Sequence, residues 1–424
     1  MTNSSETLIE SQSADVVKAN FRNVQIDAIG VGLANAAAPF LPVFLTHLNA
    51  TSFQVGLLSS MPAVTGLLLA LPLGRFLQRQ SNIVKWFSIA RLMVIGSYAL
   101  TGIISFFIPK TVLVNSILLI WALATLPQTI VAIAFSVVMN AVAGPNRRFE
   151  LMSRRWSTMG VTTTLMVLGI GELLDKVLFP LNYQLMFIAL SIGGLISYYY
   201  SSHLKLPESA PQPLSAVKSF KVQLFEFKEL VFKEKPFISF MAKRFIFMSG
   251  VSLAAPLVPL YLVRYVHASD QWISIITTSQ IAVMVLGYFF WTRLGRRQGT
   301  RAVLVWTTLG LSLYPFLLAL TTSTWQITIV AGIAGIFQAG LDLVFFDELM
   351  KVVPIEYSAI FVGLAQSIQY LAAIASPLIG TWIADQVSLP VGLFAAAGLR
   401  FFGFFLFLIG KKVPKTKQTS SLVN

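Results

Sequence analysis

The stretch Gly287-Tyr-Phe-Phe-Trp-Thr-Arg-Leu-Gly-Arg-Arg-Gln-Gly-Thr-Arg301 joins two long apolar segments through a short basic turn. The turn carries four arginines, Arg293, Arg296, Arg297 and Arg301. Lys and Arg are held back from translocation, so basic loops remain on the cytoplasmic side of a membrane. A connection this short turns sharply where glycine lets the backbone bend and the helices approach. The stretch therefore predicts two membrane helices joined by a cytoplasmic hairpin.

The composition of the whole chain is that of a polytopic membrane protein. Of its 424 residues, 56% are hydrophobic and 11% are charged, and the mean hydropathy is +0.75. Soluble domains usually carry about 25% charged residues. A net charge of +14 could suggest a nucleic-acid partner. The basic residues lie in short clusters between apolar runs, however, which is how membrane topology is encoded, and we expect no nucleic acid to bind.

The residue types that enzymes and metal sites often use are scarce. The chain has no cysteine and three histidines, His47, His203 and His267, which lie far apart in the sequence. A metal cluster or a Ser-His-Asp triad therefore has few components available. No phosphate-binding glycine loop is found, which argues against direct ATP drive. We expect a protein that is not an enzyme and that holds no metal and no cofactor.

Apolar runs long enough to cross the hydrocarbon core recur along the chain, since about 20 helical residues suffice. They lie at about 24–46, 53–77, 84–108, 112–142, 157–178, 182–204, 237–264, 271–292, 302–321, 325–349, 359–384 and 389–410. Continuous runs of this length indicate helices, because the strands of a membrane barrel are short and alternate in polarity. The sequence therefore predicts an all-α polytopic membrane protein with twelve transmembrane helices.

The basic residues between these spans set the predicted orientation. Most of them fall on one side, and the other side carries little beyond Lys110, Lys176 and Arg264. The positive-inside rule then places both termini in the cytoplasm, with the chain in a plasma (inner) membrane and the lipid bilayer as its surroundings. The predicted divisions are a cytoplasmic tail 1–22, a six-helix bundle 23–205, a linker 206–235, a second six-helix bundle 236–410 and a tail 411–424.

The linker 206–235 carries apolar residues at helical spacing with lysines between them. These residues are Phe220, Leu224, Phe227 and Val231. The pattern predicts an amphipathic helix on the inner membrane surface, with an ordinary solvated linker as the alternative.

The two halves of the chain resemble each other. Ala37-Ala-Pro39-Phe-Leu-Pro42-Val-Phe-Leu45 in the first span matches Ala254-Ala-Pro256-Leu-Val-Pro259-Leu-Tyr-Leu262 in the seventh. Internal repeats of this kind are typical of transporters built from related bundles. The repeat therefore predicts two pseudo-symmetric six-helix halves. The paired prolines remove helix hydrogen bonds at a similar depth in both halves, which would permit bending there.

The turn Arg293-Leu-Gly295-Arg296-Arg297 resembles the loop between helices 8 and 9 of the major facilitator superfamily, with Thr292 where that loop usually carries aspartate. The sequence Gly144-Pro-Asn-Arg147-Arg148 is similar to the family's basic turn into helix 5. Together with the two halves, the resemblance covers nearly the whole chain. It implies the fold of that superfamily and a central cavity lined by helices 1, 4, 7 and 10.

Polar residues inside the spans are the candidates for a solute site, because they are costly in lipid and face the bundle interior. The cavity helices that the resemblance implies favour Asn35, Gln128, Gln338 and Asp342, and Gln366 and Gln369 on span 11 are further candidates. Each amide could instead join helices by hydrogen bonds. For proton coupling we expect Asp342, because burial favours the protonated carboxyl, with Glu172 as the alternative.

The repeat also suggests a gate between the halves. Aligning Pro39 with Pro256 places Asp27 opposite Arg244 near the cytoplasmic ends of spans 1 and 7. The interpretation is an ion pair that closes the inner gate, with the basic turn residues Arg293, Arg296 and Arg297 beside it. The alternative is that each charge pairs within its own half, Asp27 with Arg22 or Arg91.

These observations together predict a monomeric secondary active transporter that moves a small organic solute by alternating access, coupled to protons. An uncoupled facilitator is one alternative. A membrane receptor or assembly factor that keeps the fold without transport is another, and it would tolerate loss of the polar cavity residues. An intramembrane enzyme ranks below both, because it would need a clustered nucleophile or metal set that is not found.

Overall fold

The protein was analysed as a computed structural model that describes residues 14–78, 80–206, 234–352 and 358–409. The regular structure of these residues is helical. The helices are α1 (Ala14–Asn35), α2 (Phe40–His47), α3 (Ser52–Gln78), α4 (Ile83–Phe107), α5 (Lys110–Lys176), α6 (Leu181–Ser202), α7 (Lys235–Leu260), α8 (Asp270–Gln298), α9 (Thr300–Ala319), α10 (Thr324–Val352), α11 (Ser358–Gln386) and α12 (Leu389–Ile409). Most of the linker predicted to hold an amphipathic helix, and the C-terminal tail 411–424, lie outside the described residues.

Twelve segments of the described residues are long and apolar enough to cross a membrane. This confirms the predicted fold class. Helices α1 and α2 together form the first span, and α5 contains the fourth and fifth, Lys110–Ala143 and Arg154–Lys176. From α6 onward each helix is the span of the same number. Helix α1 begins at Ala14, inside the predicted tail 1–22, because Phe21 is buried and Asn20 exchanges hydrogen bonds with the backbone of Lys205.

The stretch that joins spans 8 and 9 has the predicted hairpin form. Helix α8 ends at Gln298, and Gly299 follows with a φ of 85° before α9 begins at Thr300. A positive φ costs glycine little because it has no Cβ, so Gly299 can close one helix and reverse the chain at once. Arg293, Arg296 and Arg297 are exposed beside this turn.

The helix packing repeats between the two halves. Helix α1 packs on α6 as α7 packs on α12, α4 packs on α6 as α9 packs on α12, and α3 packs on α5 as α8 packs on α10. We call α1–α6 the N-half and α7–α12 the C-half. Small residues permit the closest approach: a Cβ on Gly30 would come within 2.5 Å of the Gly193 backbone oxygen. The equivalent contacts support the predicted duplication.

The two proline pairs behave differently. In the N-half the helix is interrupted between Asn35 and Phe40, and Pro39 precedes the new helix α2. In the C-half the helix continues through Pro256 and Pro259 and passes into a π-helical turn, Tyr261–Tyr265. Proline removes a backbone donor and crowds the preceding turn, and local changes of helix type accommodate it.

The halves meet along two helix pairs. Helix α3 packs against α11, and the fifth span packs against α8. A Cβ added to Gly56 would lie 3.1 Å from the Thr381 hydroxyl, and one added to Gly171 would overlap Ser274. Glycine at these positions therefore brings the backbones of the two halves close together.

Candidate functional site

A cavity of about 320 Å³ lies in the C-half, and we call it the C-half cavity. Helices α7, α10 and α11 form its walls. Its lining consists of Arg244, Met248, Val251, Gln338, Leu341, Asp342, Phe345, Leu349, Ala365, Gln366 and Gln369. The structure therefore brings together four of the six residues predicted for the solute site and adds Arg244, which the sequence placed at a gate.

Asp342 is held by neutral donors in this cavity. Its carboxylate accepts hydrogen bonds from Gln338 Nε2 at 2.8 Å and from the Tyr288 hydroxyl at 3.0 Å. Gln338 lies one helical turn before Asp342 on α10, which is the i, i+4 spacing that places two side chains on one face. Tyr288 belongs to α8. The sequence did not predict it as a site residue, because its spacing from neighbouring polar residues forms no pattern typical of a binding site.

Arg244 lies in the same cavity without an acidic partner. One of its terminal nitrogens donates a 2.8 Å hydrogen bond to Gln369 Oε1, and its guanidinium lies 5.4 Å from the centre of the Phe345 ring. Its Nε is buried and has no acceptor. Among the described residues, no carboxylate lies within 4.0 Å of Arg244 and no cation lies within 4.0 Å of Asp342.

A second cavity of about 230 Å³ lies between the halves, and we call it the central cavity. Its lining combines Gln128, Ser59 and Trp121 with residues from both proline pairs, Pro42 and Pro256. The predicted Gln128 is therefore in a cavity, although not the one that holds Asp342. Asn35 lines neither of these two cavities. Its side chain is exposed and donates to the sulfur of Met159 at 3.5 Å.

Glu172, the alternative proton site, lies far from both cavities. It forms an exposed pair with Lys176, one helical turn away, at 2.6 Å. Exposed pairs of this kind are weak, because water screens both charges.

Asp27 forms the most buried charge cluster of the N-half. Its side chain is 1% exposed. Both carboxylate oxygens accept from Arg91, at 2.7 and 2.6 Å, and one also accepts from the Ser197 hydroxyl at 2.6 Å. Arg155 lies 3.6 Å from the same carboxylate. Asp27 and Arg244 are therefore not paired in this conformation, and Asp27 has the partner Arg91 that the within-half alternative named.

We define two ends of the molecule by these contacts. The basic face is the end that carries Ala14, Gln78, Lys205, Gln298 and Ile409, and the opposite face carries His47, Lys110, Lys176 and Asp270. The fourth and fifth spans run in opposite directions, because Arg155 lies beside Asp27 toward the basic face whereas Asp175 lies at the opposite face.

The halves are joined at the opposite face by a group of contacts that we call the latch. Asp270 accepts a hydrogen bond from the Tyr183 hydroxyl at 2.6 Å, and the same oxygen lies 3.2 Å from His47 Nε2. Arg264 donates to the backbone oxygen of Ala50 and to the Ser52 hydroxyl. The latch therefore comprises His47, Ala50, Ser52, Tyr183, Arg264 and Asp270.

One further bond between the halves lies beside the latch, where the backbone N–H of Gln271 donates to Asp175 at 3.1 Å. The hydrogen bonds of the latch and this further bond, five in number, join described residues of the two halves at the opposite face. The sequence did not predict that the residues of the latch contact one another. It placed Arg264 only among the few basic residues of the side opposite the termini.

The molecule is thus a twelve-span membrane protein of two pseudo-symmetric helical bundles, closed at one face and with polar cavities inside.

Comparisons with known proteins agree with this description. The family model of the Major Facilitator Superfamily matches residues 241–423. The multidrug resistance protein MdtG of Proteus mirabilis (strain HI4320) is 23% identical over 183 residues, which are 41% of this chain and 44% of that protein. MdtG of Klebsiella pneumoniae (strain 342) is 26% identical over 182 residues, again 41% and 44%. The chain thus matches less than half of the length of these relatives.

Solved structures resemble the fold over almost the whole chain. A bacterial homologue of the human lysosomal transporter Spinster, in an inward-facing and unoccupied conformation, has a TM-score of 0.69 at 13% identity and covers 95% of this chain and 100% of its own. The nucleoside transporter NupG has a TM-score of 0.67 at 14% identity, with 92% and 98% covered. The similarity to the Major Facilitator Superfamily is thus direct over residues 241–423, and over the rest of the chain it is a similarity of fold. The similar proteins are thus multidrug resistance proteins and transporters.

Proposed function

We propose that the protein is a secondary transporter that moves a small organic solute by alternating access. The observation that carries the proposal is the asymmetry between the two faces. Five hydrogen bonds between described residues join the halves at the opposite face. Polar and charged side chains line a cavity within the spans of the C-half, where ionisable residues are costly and serve function.

The basic face is the cytoplasmic face in this proposal, so both termini lie inside the cell and the protein lies in the plasma (inner) membrane. The support is the excess of Lys and Arg at this face. The structure then corresponds to an inward-facing conformation. The inward-facing Spinster homologue of similar fold supports this assignment. We expect a monomer, since one chain contains both halves and the cavities between and within them.

The organic solute class is supported by the names of the multidrug resistance proteins and of the nucleoside transporter. Other structures of similar fold are named for an iron transporter and a metal transporter, and the chain's relatives by sequence favour the organic class. Opening of the latch and closure of the basic face would expose the cavities to the other side. The glycine contacts between α3 and α11 and between the fifth span and α8 provide packed surfaces about which the halves can rock.

Proton coupling is proposed at Asp342. Its carboxylate lies in a membrane span with two neutral donors, and no cation balances its charge among the described residues. A proton would neutralise the carboxylate there and would be exchanged with water when the accessible face changes. Glu172 stays the alternative candidate, and its exposed pair with Lys176 offers less reason for coupling. The predicted gate of Arg293, Arg296 and Arg297 with Asp27 and Arg244 stays a prediction for a conformation closed at the basic face.

The test uses purified protein and a library of small solutes. A ligand at 100 times its dissociation constant adds about 2.7 kcal/mol to the free energy of unfolding, so binders are found by their rise in melting temperature. Each binder is then measured for flux into proteoliposomes with an imposed pH gradient. Saturable accumulation against the solute gradient supports the proposal. Saturable flux that never exceeds equilibrium supports an uncoupled facilitator, and binding with no flux for any solute contradicts transport.

A further inference from the structure

The C-half cavity contains two side chains of opposite charge that the protein does not pair with each other. Arg244 on α7 contacts the amide oxygen of Gln369 and the ring of Phe345. Asp342 on α10 contacts the amide of Gln338 and the hydroxyl of Tyr288. Every one of these partners is neutral. Both charges line the same space, together with the amides of α10 and α11.

The buried carboxylate of the N-half is paired directly with arginine, whereas the buried Arg400 of the C-half donates to the backbone oxygen of Leu311. Asp27 accepts two hydrogen bonds from Arg91 and has Arg155 nearby, which is the arrangement expected when charges serve packing. An aspartate and an arginine that remained apart in one cavity would each be costly in a membrane span. The buried Nε of Arg244 has no acceptor, so it is a further hydrogen-bond donor that a ligand could use. The arrangement therefore differs from a structural ion pair.

The two charges lie at the same depth. Arg244 is nine residues from Lys235 at the basic face, about 14 Å along the helix axis, and Asp342 is ten residues from Val352, about 15 Å. Helix α7 has 26 residues and α10 has 29, so both groups lie about one third of the way along their helices from the basic face. A ligand that reaches both would lie across the cavity, parallel to the membrane plane.

The cavity lining also contains apolar side chains. They include Met248 and Val251 on α7 and Leu341 and Phe345 on α10. The cavity volume of about 320 Å³ is near the low end of the usual range for ligand sites, about 300–1,000 Å³. The space thus fits a short hydrocarbon chain or ring that carries one charged group at each end.

We propose that the C-half cavity binds a zwitterionic solute, with its anionic group on Arg244 and its cationic group on Asp342. The guanidinium supplies paired N–H donors that match a carboxylate or phosphate, and the carboxylate of Asp342 accepts from an ammonium. Gln338, Gln366 and Gln369 complete the polar rim. The inference rests on the proposed transport function and narrows its solute class.

The test uses unbranched ω-amino acids of increasing length as probes, because each carries an ammonium and a carboxylate at a fixed spacing. The matched controls are the n-alkylamine and the n-alkanoate of the same length. Binding to the full purified chain is measured by melting temperature and by titration calorimetry. We expect at least one probe length to bind at least tenfold more tightly than either singly charged analogue.

Two substitutions then show which side chain binds each charged end of the solute. Arg244→Gln is expected to remove the preference for the zwitterion over the alkylamine, and Asp342→Asn to remove its preference over the alkanoate. Arg244→Lys keeps a cation and should retain part of the preference, which separates lost charge from lost folding. Asp15→Asn and Lys85→Gln make the same charge changes at exposed positions and should change neither preference.

Wild-type protein that binds no probe better than its singly charged analogues would overturn the inference. So would variants that weaken all three probe classes equally. These failures are distinct from failure of the proposed function. Flux of a neutral or singly charged solute without zwitterion binding would leave transport standing and reject this site. Zwitterion binding with no flux of any solute would keep the site and reject transport.

Discussion

The hydroxyl of Tyr183 donates a 2.6 Å hydrogen bond to the carboxylate of Asp270 and thereby joins α6 of the N-half to α8 of the C-half. His47 Nε2 lies 3.2 Å from the same oxygen. Hydrogen bonds to an ionised acceptor are shorter and stronger than neutral ones. Asp270 is therefore the central acceptor of the latch, and all of its contacts across the halves must break before the opposite face can open.

Asp270→Asn should weaken the latch. A hydrogen bond to a charged group contributes about 1.5–3 kcal/mol, and about 1.4 kcal/mol is a factor of ten in an equilibrium. Because the natural chain has no cysteine, Ser59→Cys places one reactive thiol in the central cavity. We expect a membrane-impermeant thiol reagent, added outside intact cells, to label this thiol about tenfold faster when Asp270→Asn is also present. Asp15→Asn is the control, and an equal labelling rate in all three proteins would contradict the role of the latch.

Locking the latch should stop transport. The double variant His47→Cys with Asp270→Cys places thiols on the two sides of a contact of 3.2 Å. We expect a short bifunctional thiosulfonate reagent to reduce solute flux in proteoliposomes nearly to background, and a reductant to restore it. Each single cysteine variant, treated alike, should keep its flux. Unchanged flux in a fully cross-linked double variant would show that this face does not open during turnover.

The basic face should be cytoplasmic. Lys85 is exposed at the basic face and Lys110 is exposed at the opposite face, so each can be replaced by the only cysteine of a variant. In intact cells an impermeant thiol reagent should label Lys110→Cys and spare Lys85→Cys, whereas both should react after the cells are opened. The reverse labelling pattern would invert the topology and with it the inward-facing assignment.

Asp342→Asn should uncouple transport from the proton gradient. Because the amide cannot bind a proton in the working range, solute flux should continue down a gradient but should no longer accumulate solute or respond to an imposed pH difference. Parallel measurements on Glu172→Gln test the alternative site. Coupling that survives Asp342→Asn and is lost in Glu172→Gln would transfer the role to Glu172.

Asp27→Asn should destabilise the N-half. The substitution leaves the buried Arg91 and Arg155 without their carboxylate, and the loss of one partner from a buried pair costs about 3–5 kcal/mol. We expect a clear fall in the melting temperature of the purified protein, with Lys176→Gln as a control that removes only an exposed pair. An unchanged melting temperature would mean that the cluster does not stabilise the bundle.

The predicted pairing of Asp27 with Arg244 has its own test. Asp27→Arg and Arg244→Asp are made singly and together, and transport is measured. Partial recovery in the double exchange would support a gate that forms when the basic face closes. Since Asp27 is enclosed by partners of the N-half, these bonds must break before the gate can form. A double exchange as impaired as the worse single variant would contradict the gate and support the pairing within each half.

Much of this protein follows from its sequence alone. The lengths of the apolar runs determine the twelve spans, and the turn that contains Arg293 and Arg296 encodes a helical hairpin, because span length and turn geometry are local properties. Gln338 and Asp342 are four residues apart, a spacing that places two side chains on one helix face, and the structure joins them by a 2.8 Å hydrogen bond. The repeat around Pro39 and Pro256 predicted the two halves.

Tertiary structure alone decided which charges meet. Asp27 lies 64 residues from Arg91, and His47 lies 223 residues from Asp270, so no spacing rule connects either pair. Sequence symmetry placed Asp27 opposite Arg244, but the equivalent positions of a repeat need not touch, because each side chain packs first against its own bundle. Arg155 follows the fourth span in the sequence and lies buried beside Asp27. Helix periodicity fixes the face on which a residue lies, whereas the neighbour that this face meets depends on how the whole bundle packs.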